Sequence, residues 1–231
     1  MRYKTSQHEQ AASKAPRTKP AEVRLGELMA AAEKLFLEQG VEATTINQIV
    51  ESAQVAKGTF YHYFASKNEL LEAMGKRYTS QFLRQLEDAV ETCAPDDWLN
   101  RLRTWVRASV LAYVETYRTH DIVYTNHHHH DRSNLEKSAV LEQLEGILQG
   151  GKKAGAWQLE QPRITALLIY AGVHGATDEA IALRQKDCTQ YAHDVASVCL
   201  HLVGVAPEPQ TANRRQTHTL SSRHKPSSAK R

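Results

Sequence analysis

The residues best suited to chemistry sit close together. Between Lys57 and Tyr63 the chain reads KGTFYHY, bringing a cation, hydroxyl groups and an imidazole into one short segment. The stretch before it sets a frame for them. Thr45 is a good N-cap and Gln48 stands three residues on, where its side chain can reach back to the Thr45 amide, a capping box. Ile46, Ile49 and Val50 then give the apolar stripe of a short helix. That stripe ends near Ala53 and Gln54, Val55 packs inward, and Ala56-Lys57-Gly58-Thr59 opens a second helix. Ser66 with Glu69 forms another capping box and launches a third. Two short helices joined by a tight turn, the second rich in Lys, Thr, Tyr and His, describe a helix-turn-helix that lays its second helix in a DNA major groove.

Histidines offer the other candidate chemistry. His127-His128-His129-His130 is an internal run. On a helix only His127 and His130 share a face, a spacing that permits a two-ligand metal site if other ligands, such as His174, come from elsewhere. Three readings stay open for the run: solvent-exposed or structural residues, polar groups lining an organic-ligand cavity, or metal ligands. A lone histidine such as His174, inside the apolar stretch IYAGVHGATDEAI, is more often a satisfied core residue than a ligand. No Gly-rich phosphate loop, HExxH, G-x-S-x-G or CxxC occurs, so no enzyme, resident metal or cofactor is expected.

The positioning elements read as helices throughout, with no strand pattern and no internal repeat, which makes the fold class all-α. Leu25, Leu28, Met29, Ala32, Leu35 and Phe36 lie on one face of a helix from about Ala21 to Gln39, ended by Gly40. A long helix runs from Lys67 to about Val90. Another follows from Trp98 to about Arg118, and the pattern weakens from Asp121 to Asp131. Ser133 with Glu136 opens a helix that stops at Gly150-Gly151. Pro162 to about Arg184 is the most apolar helix, and Asp187 with Gln190 starts the last, ending at Gly204. Residues 1–20 and 207–231 are polar and proline-bearing and read as disordered tails.

Leu28-Met29, Ala31-Ala32, Leu35-Phe36, Gly40, Thr44-Thr45-Ile46, Val55 through Phe64 and Ser66 through Leu71 together resemble the N-terminal domain of the TetR/AcrR family of bacterial repressors. The resemblance covers about fifty residues of the 231 and extends to the rest only in helix order and length. It implies residues 21–66 as a three-helix DNA-binding domain and 67–206 as a larger helical effector-binding and dimerisation domain. It implies DNA contact by Thr45, Lys57, Gly58, Thr59, Tyr61, His62, Tyr63 and Lys67: phosphate for Thr45 and Lys67, close backbone approach at Gly58, and phosphate or base edges for the others. Two positions depart from the family: Ala56 stands where Ser or Thr is frequent, and Tyr63 where His is frequent. The alternative for Tyr61, His62 and Tyr63 is packing within a small head.

The resemblance further implies a repressor released from a pseudopalindromic operator by a small organic effector. Trp105, Tyr113, Tyr124, His127, His130, Trp157, Tyr170 and His174 are the candidates to line its cavity. A homodimer is expected because one short reading helix gives too little contact for specific binding to duplex DNA. The small stripe Gly172, Ala176, Ala180 is the candidate subunit contact, or else intrachain packing. A metal-responsive regulator built on the His127–His130 run is the alternative.

Composition agrees with these expectations. Apolar residues at 41% permit a core, and charged residues at 24% fit a globular chain. The net charge of +3 is divided between basic tails and an acidic middle, and a basic N-terminal tail would add phosphate contacts. No apolar run is long enough for a membrane span. Cys93, Cys188 and Cys199 are scattered and odd in number, which with the absence of a secretory signal predicts a cytoplasmic protein without membrane partners.

Overall fold

Helix α1 (Ala21–Gln39) buries Leu28, Met29, Ala32 and Phe36 and ends at Gly40. Gly40 takes a left-handed φ of 85° while its amide closes on the Phe36 carbonyl at 3.0 Å, the backbone that glycine adopts without strain. The computed structural model describes residues 20–125 and 135–206. Among them are α2 (Ile46–Ser52), α3 (Lys57–Tyr63), α4 (Lys67–Glu91), α5 (Trp98–Thr125), α6 (Leu135–Lys153), α7 (Pro162–Ala182) and α8 (Cys188–His201). All regular structure there is helical, so the fold is all-α. Both tails, Ser133 and the His127–His130 run lie outside the described residues.

Two hydrophobic cores organise the chain. The first joins α1, α2 and α3 through Leu28, Phe36, Ile49, Phe60 and Phe64, and takes in Leu70, Leu71 and Met74 from the start of α4. The second gathers Leu86, Leu102, Trp105, Val106, Leu144, Leu148, Ile169 and Ala196 from α4 through α8. Helix α5 serves both. Its first turns fill the second core, and Val123, 1% exposed, sits in the first with Ile122 and Tyr124 beside it. This is why α5 outruns the expected stop near Arg118: the apolar face changes partner, so its single-stripe periodicity fades although the helix continues.

Helix α6 likewise outruns its expected stop. Gly150 and Gly151 lie inside it, and a side chain at either would overlap the indole of Trp98 or Trp157 respectively. The glycine pair marks close approach of two tryptophans rather than a helix end. Trp157 is held there by its Nε1–H, which donates to the Leu148 carbonyl at 2.9 Å.

Helix α7 is apolar on both faces. Ala166, Ile169, Val173, Thr177 and Ala180 turn inward, while Ile164 and Leu168 stay more than half exposed and Ala171, Gly172 and Gly175 line the same outer face. The expected small stripe therefore divides: Gly172 is exposed, Ala176 half-buried and Ala180 buried. A four-residue step overshoots a 3.6-residue turn by about 40°, so a stripe eight residues long drifts off the outer face. The Tyr191 hydroxyl closes the inner side by donating to the Ala176 carbonyl at 2.7 Å.

Candidate nucleic-acid interface and effector cluster

The head is assembled by caps and a turn. The Thr45 amide donates to Gln48 Oε1 at 2.8 Å and the Gln48 amide to Thr45 Oγ1 at 3.3 Å, so the capping box forms. The Thr45 hydroxyl also donates to Gln48 Oε1 at 3.0 Å, and its polar groups are thus committed to the cap. Gln54 reverses the chain with a left-handed φ of 54°, and the Val55 amide returns to the Val50 carbonyl at 3.0 Å. At α4, the Glu69 amide donates to Ser66 Oγ, but the reciprocal bond comes from the Ala65 amide to Glu69 Oε2, one residue earlier than a capping box requires.

Helix α3 has an inner and an outer face. Phe60 is fully buried, with Tyr61 edge-on at 5.5 Å and Phe64 tilted at 5.7 Å. Lys57, Gly58, Tyr61 and His62 face solvent, and Thr59 is half-buried. A Cβ at Gly58 would meet nothing within 4 Å, so the head's own packing does not demand that glycine. Tyr63 and Lys67 turn the other way. The Tyr63 hydroxyl donates to the Ala21 carbonyl at 2.9 Å and ties α3 to the start of α1. The Lys67 ammonium donates to the Val41 and Thr44 carbonyls at 2.6 and 3.1 Å, so it is not a side chain reaching freely into solvent. No pattern in the sequence announces these three bonds, because all three acceptors are backbone carbonyls distant in the chain.

A second constellation lies where α4, α5 and α7 meet. The rings of Tyr113 and His174 stack at 4.6 Å, and Tyr170 stacks on His174 at 5.7 Å. His120 stands 4.8 Å from Tyr113, 4.9 Å from Tyr124 and 5.3 Å from His174. Tyr78 of α4 completes the cluster, with its hydroxyl 2.9 Å from Thr116 Oγ1. The Tyr113 hydroxyl donates to Asp178 at 2.8 Å. The Tyr124 hydroxyl bonds Thr79 and the Gly75 carbonyl of α4. Of the expected lining residues, Tyr113, Tyr124, Tyr170 and His174 are thus brought together. Trp105 is not among them: it is a core residue, its indole N–H donating to Gln143 at 2.9 Å. Trp157 plugs the α6 glycine site instead. His120 and Tyr78 join the cluster unforeseen; their spacing from Tyr124 and Phe82 at i, i+4 was the available signal. Among the described residues no group of three or more potential metal ligands converges.

Burial dominates the protonation chemistry of the cluster. It pushes the Tyr78 and Tyr170 phenols up, and raises Tyr113 further with the help of its bond to Asp178. It lowers both His120 and His174, overcoming the nearby carboxylates of Asp121 and Asp178. Burial also raises the Cys199 thiol to about 11, which leaves it protonated and unreactive at neutral pH.

Three short helices around one core, with a polar outer face on the third, define a helix-turn-helix head on a helical body. The sequence profile described as "Bacterial regulatory proteins, tetR family" matches residues 28–74, a span that takes in most of α1, all of α2 and α3 and the first turns of α4. The HTH-type transcriptional repressor KstR2 of Mycobacterium tuberculosis is 32% identical over 101 residues, covering 44% of this chain and 49% of the relative. The chain therefore spans about half the length of that relative. Among solved structures, a TetR-family regulator from Syntrophomonas wolfei superposes with a TM-score of 0.67 at 18% identity, covering 80% of this chain and 97% of the other. FadR of Bacillus subtilis, solved in complex with stearoyl-CoA, gives 0.64 at 20% identity, covering 78% and 99%. The two superpositions show the fold. The profile match makes residues 28–74 similar to the N-terminal domain of the TetR family.

His120 and His174 make the helical body pH-sensitive. The groups facing them are Tyr78 of α4, Tyr113, Asp121 and Tyr124 of α5, Lys137 of α6, and Tyr170 and Asp178 of α7. Both imidazoles resist protonation in the fold. As pH falls through the ordinary histidine value of about 6.5, the unfolded chain binds more protons than the folded one, and stability is lost. The melting midpoint is expected to drop between about pH 7.5 and 5.5, and to drop less in His174→Phe. Equal drops in both proteins would show that His174 does not contribute.

Proposed function

We propose that this chain is a sequence-specific DNA-binding transcriptional regulator, a repressor released from a pseudopalindromic operator by a small organic effector. The observation that carries the reading is the outer face of α3. It offers Lys57, Tyr61 and His62 to solvent beside a glycine that the head itself has no need of. A surface that must meet phosphates and base edges closely calls for such a face. Residues 21–66 act as the reading head, and 67–206 carry the effector site and the subunit contact. The repressor named among the relatives supports the direction of control.

Two copies are required, since one seven-residue helix reads too few bases. The outer face of α7, Ile164, Leu168, Ala171, Gly172 and Gly175, with Val198 and Leu202 of α8, supports a homodimer. These positions are uncharged and exposed, as an isologous contact needs. The effector site is read at the Tyr78–Tyr113–His120–Tyr124–Tyr170–His174 cluster, whose rings suit a medium-sized, largely apolar molecule oriented by one or two polar groups. The neighbour solved with stearoyl-CoA supports a lipophilic ligand of this kind. Such an effector must bind two head arrangements unequally to act.

Four outcomes are expected. With a duplex selected from a random pool by the wild-type protein, Tyr61→Ala lowers affinity more than tenfold with its helical signal intact. Gly58→Ala lowers it too, while leaving the melting midpoint equal or higher. Equal wild-type affinity for every duplex at moderate salt overturns the reading. Leu168→Glu converts a dimer to a monomer in sedimentation; an unchanged species moves the subunit contact elsewhere. His174→Phe weakens effector release at least several-fold without changing DNA affinity of the free protein, read with effectors found by screening for release; normal release places the site elsewhere.

A further inference from the structure

We propose that Lys67 is a positioning residue of the DNA-reading head, its ammonium pinning the start of α4 to the connection between α1 and α2. The inference rests on the helix-turn-helix reading above but assigns Lys67 a task inside the protein instead of at phosphate.

The connection Gly40–Thr45 carries little regular structure, and Lys67 supplies what holds it. Its Nζ donates to the Val41 carbonyl at 2.6 Å and to the Thr44 carbonyl at 3.1 Å. The Val41 carbonyl also takes the Thr44 amide at 3.2 Å, so one oxygen is shared by the turn and the pin. The Thr44 side chain, 1% exposed, donates to the Gly40 carbonyl at 2.7 Å and accepts from Gln39 Nε2 at 3.1 Å. Bonds from an ionised donor to buried carbonyls are stronger than neutral ones. A phosphate would have to compete with two such bonds already made within the fold.

What the pin positions is the reading helix. Thr44 precedes Thr45, the N-cap of α2. Helix α2 hands its orientation to α3 through the Val55–Val50 backbone bond and the Ile49–Phe60 core. The same α4 that begins at Lys67 carries Gly75, Tyr78 and Thr79 into the aromatic cluster. A movement of α4 along its axis is therefore delivered to the α1–α2 connection at Lys67.

Lys67→Met keeps the length of the side chain and removes its charge and donors. Duplex affinity is measured as a function of salt well below the melting midpoint, on sheared genomic DNA and on the duplex selected with the wild-type protein. The expected result is a lower melting midpoint, an affinity for the selected duplex reduced about tenfold, and an unchanged salt slope, because the number of phosphates neutralised is unchanged. A slope reduced by about one overturns the proposal, since that is the signature of a lost phosphate contact. An unchanged affinity also overturns it, since the pin would then stabilise without positioning. If Lys67→Met does not fold, the Lys67 ammonium resonance of the wild type decides. Slowly exchanging protons and a shift unmoved by the selected duplex support the pin; rapid exchange, or a shift that moves, overturns it. Failure of the wild type to prefer any duplex would count against the DNA-binding reading itself and is seen before any variant is made.

Discussion

Two helices, α4 and α5, are each buried in both cores. The 28 residues of α5 begin among Leu102, Trp105 and Val106 in the helical body and end with Val123 in the core of the head. Helix α4 runs beside it from Leu70 and Leu71 in the head to Leu86 in the body, so the orientation of head on body is constrained by a pair of packed rods. Polar bonds reinforce that seat. Arg118 donates to the Leu37 carbonyl at 3.2 Å and Thr119 to Glu33 at 2.9 Å, both across to α1. The aromatic cluster sits on α5 between the two cores. Any molecule that parts those rings must act on a segment whose next turn is packed under the reading helices.

The head was legible in the sequence because its determinants are local. Capping side chains lie three residues from the amides they serve, and the buried Ile49 and Phe60 belong to short apolar patterns. The all-α class followed from the same periodicities. The end of α5 was not legible, because a helix that changes partners changes its buried face and blurs its own stripe. Gly150 and Gly151 misled for a related reason: a glycine records either a chain end or a close neighbour, and only the tertiary packing of Trp98 and Trp157 separates the two.

The candidate sites divide along the same line. Lys57, Tyr61 and His62 are exposed as a reading surface requires. The commitment of Thr45 to Gln48 was legible as a capping box, whereas those of Tyr63 and Lys67 were hidden, since hydrogen bonds to backbone carbonyls leave no trace in residue type. In the body, aromatic residues were rightly drawn into one neighbourhood for Tyr113, Tyr124, Tyr170 and His174. Trp105 and Trp157 went to the core instead, where their indole N–H groups find single acceptors. His120 escaped notice because it stands where the apolar pattern of α5 was fading.

The distribution of indoles has a spectroscopic consequence. All three tryptophans of the chain, Trp98, Trp105 and Trp157, pack in or against the core of the body, and the head is built from phenylalanine, tyrosine and aliphatic side chains. Intrinsic indole emission is therefore a reporter of the body alone, blind to the state of the reading helices. Loosening of the head appears as lost ellipticity with unchanged emission, and the two signals part company wherever the cores do not melt together.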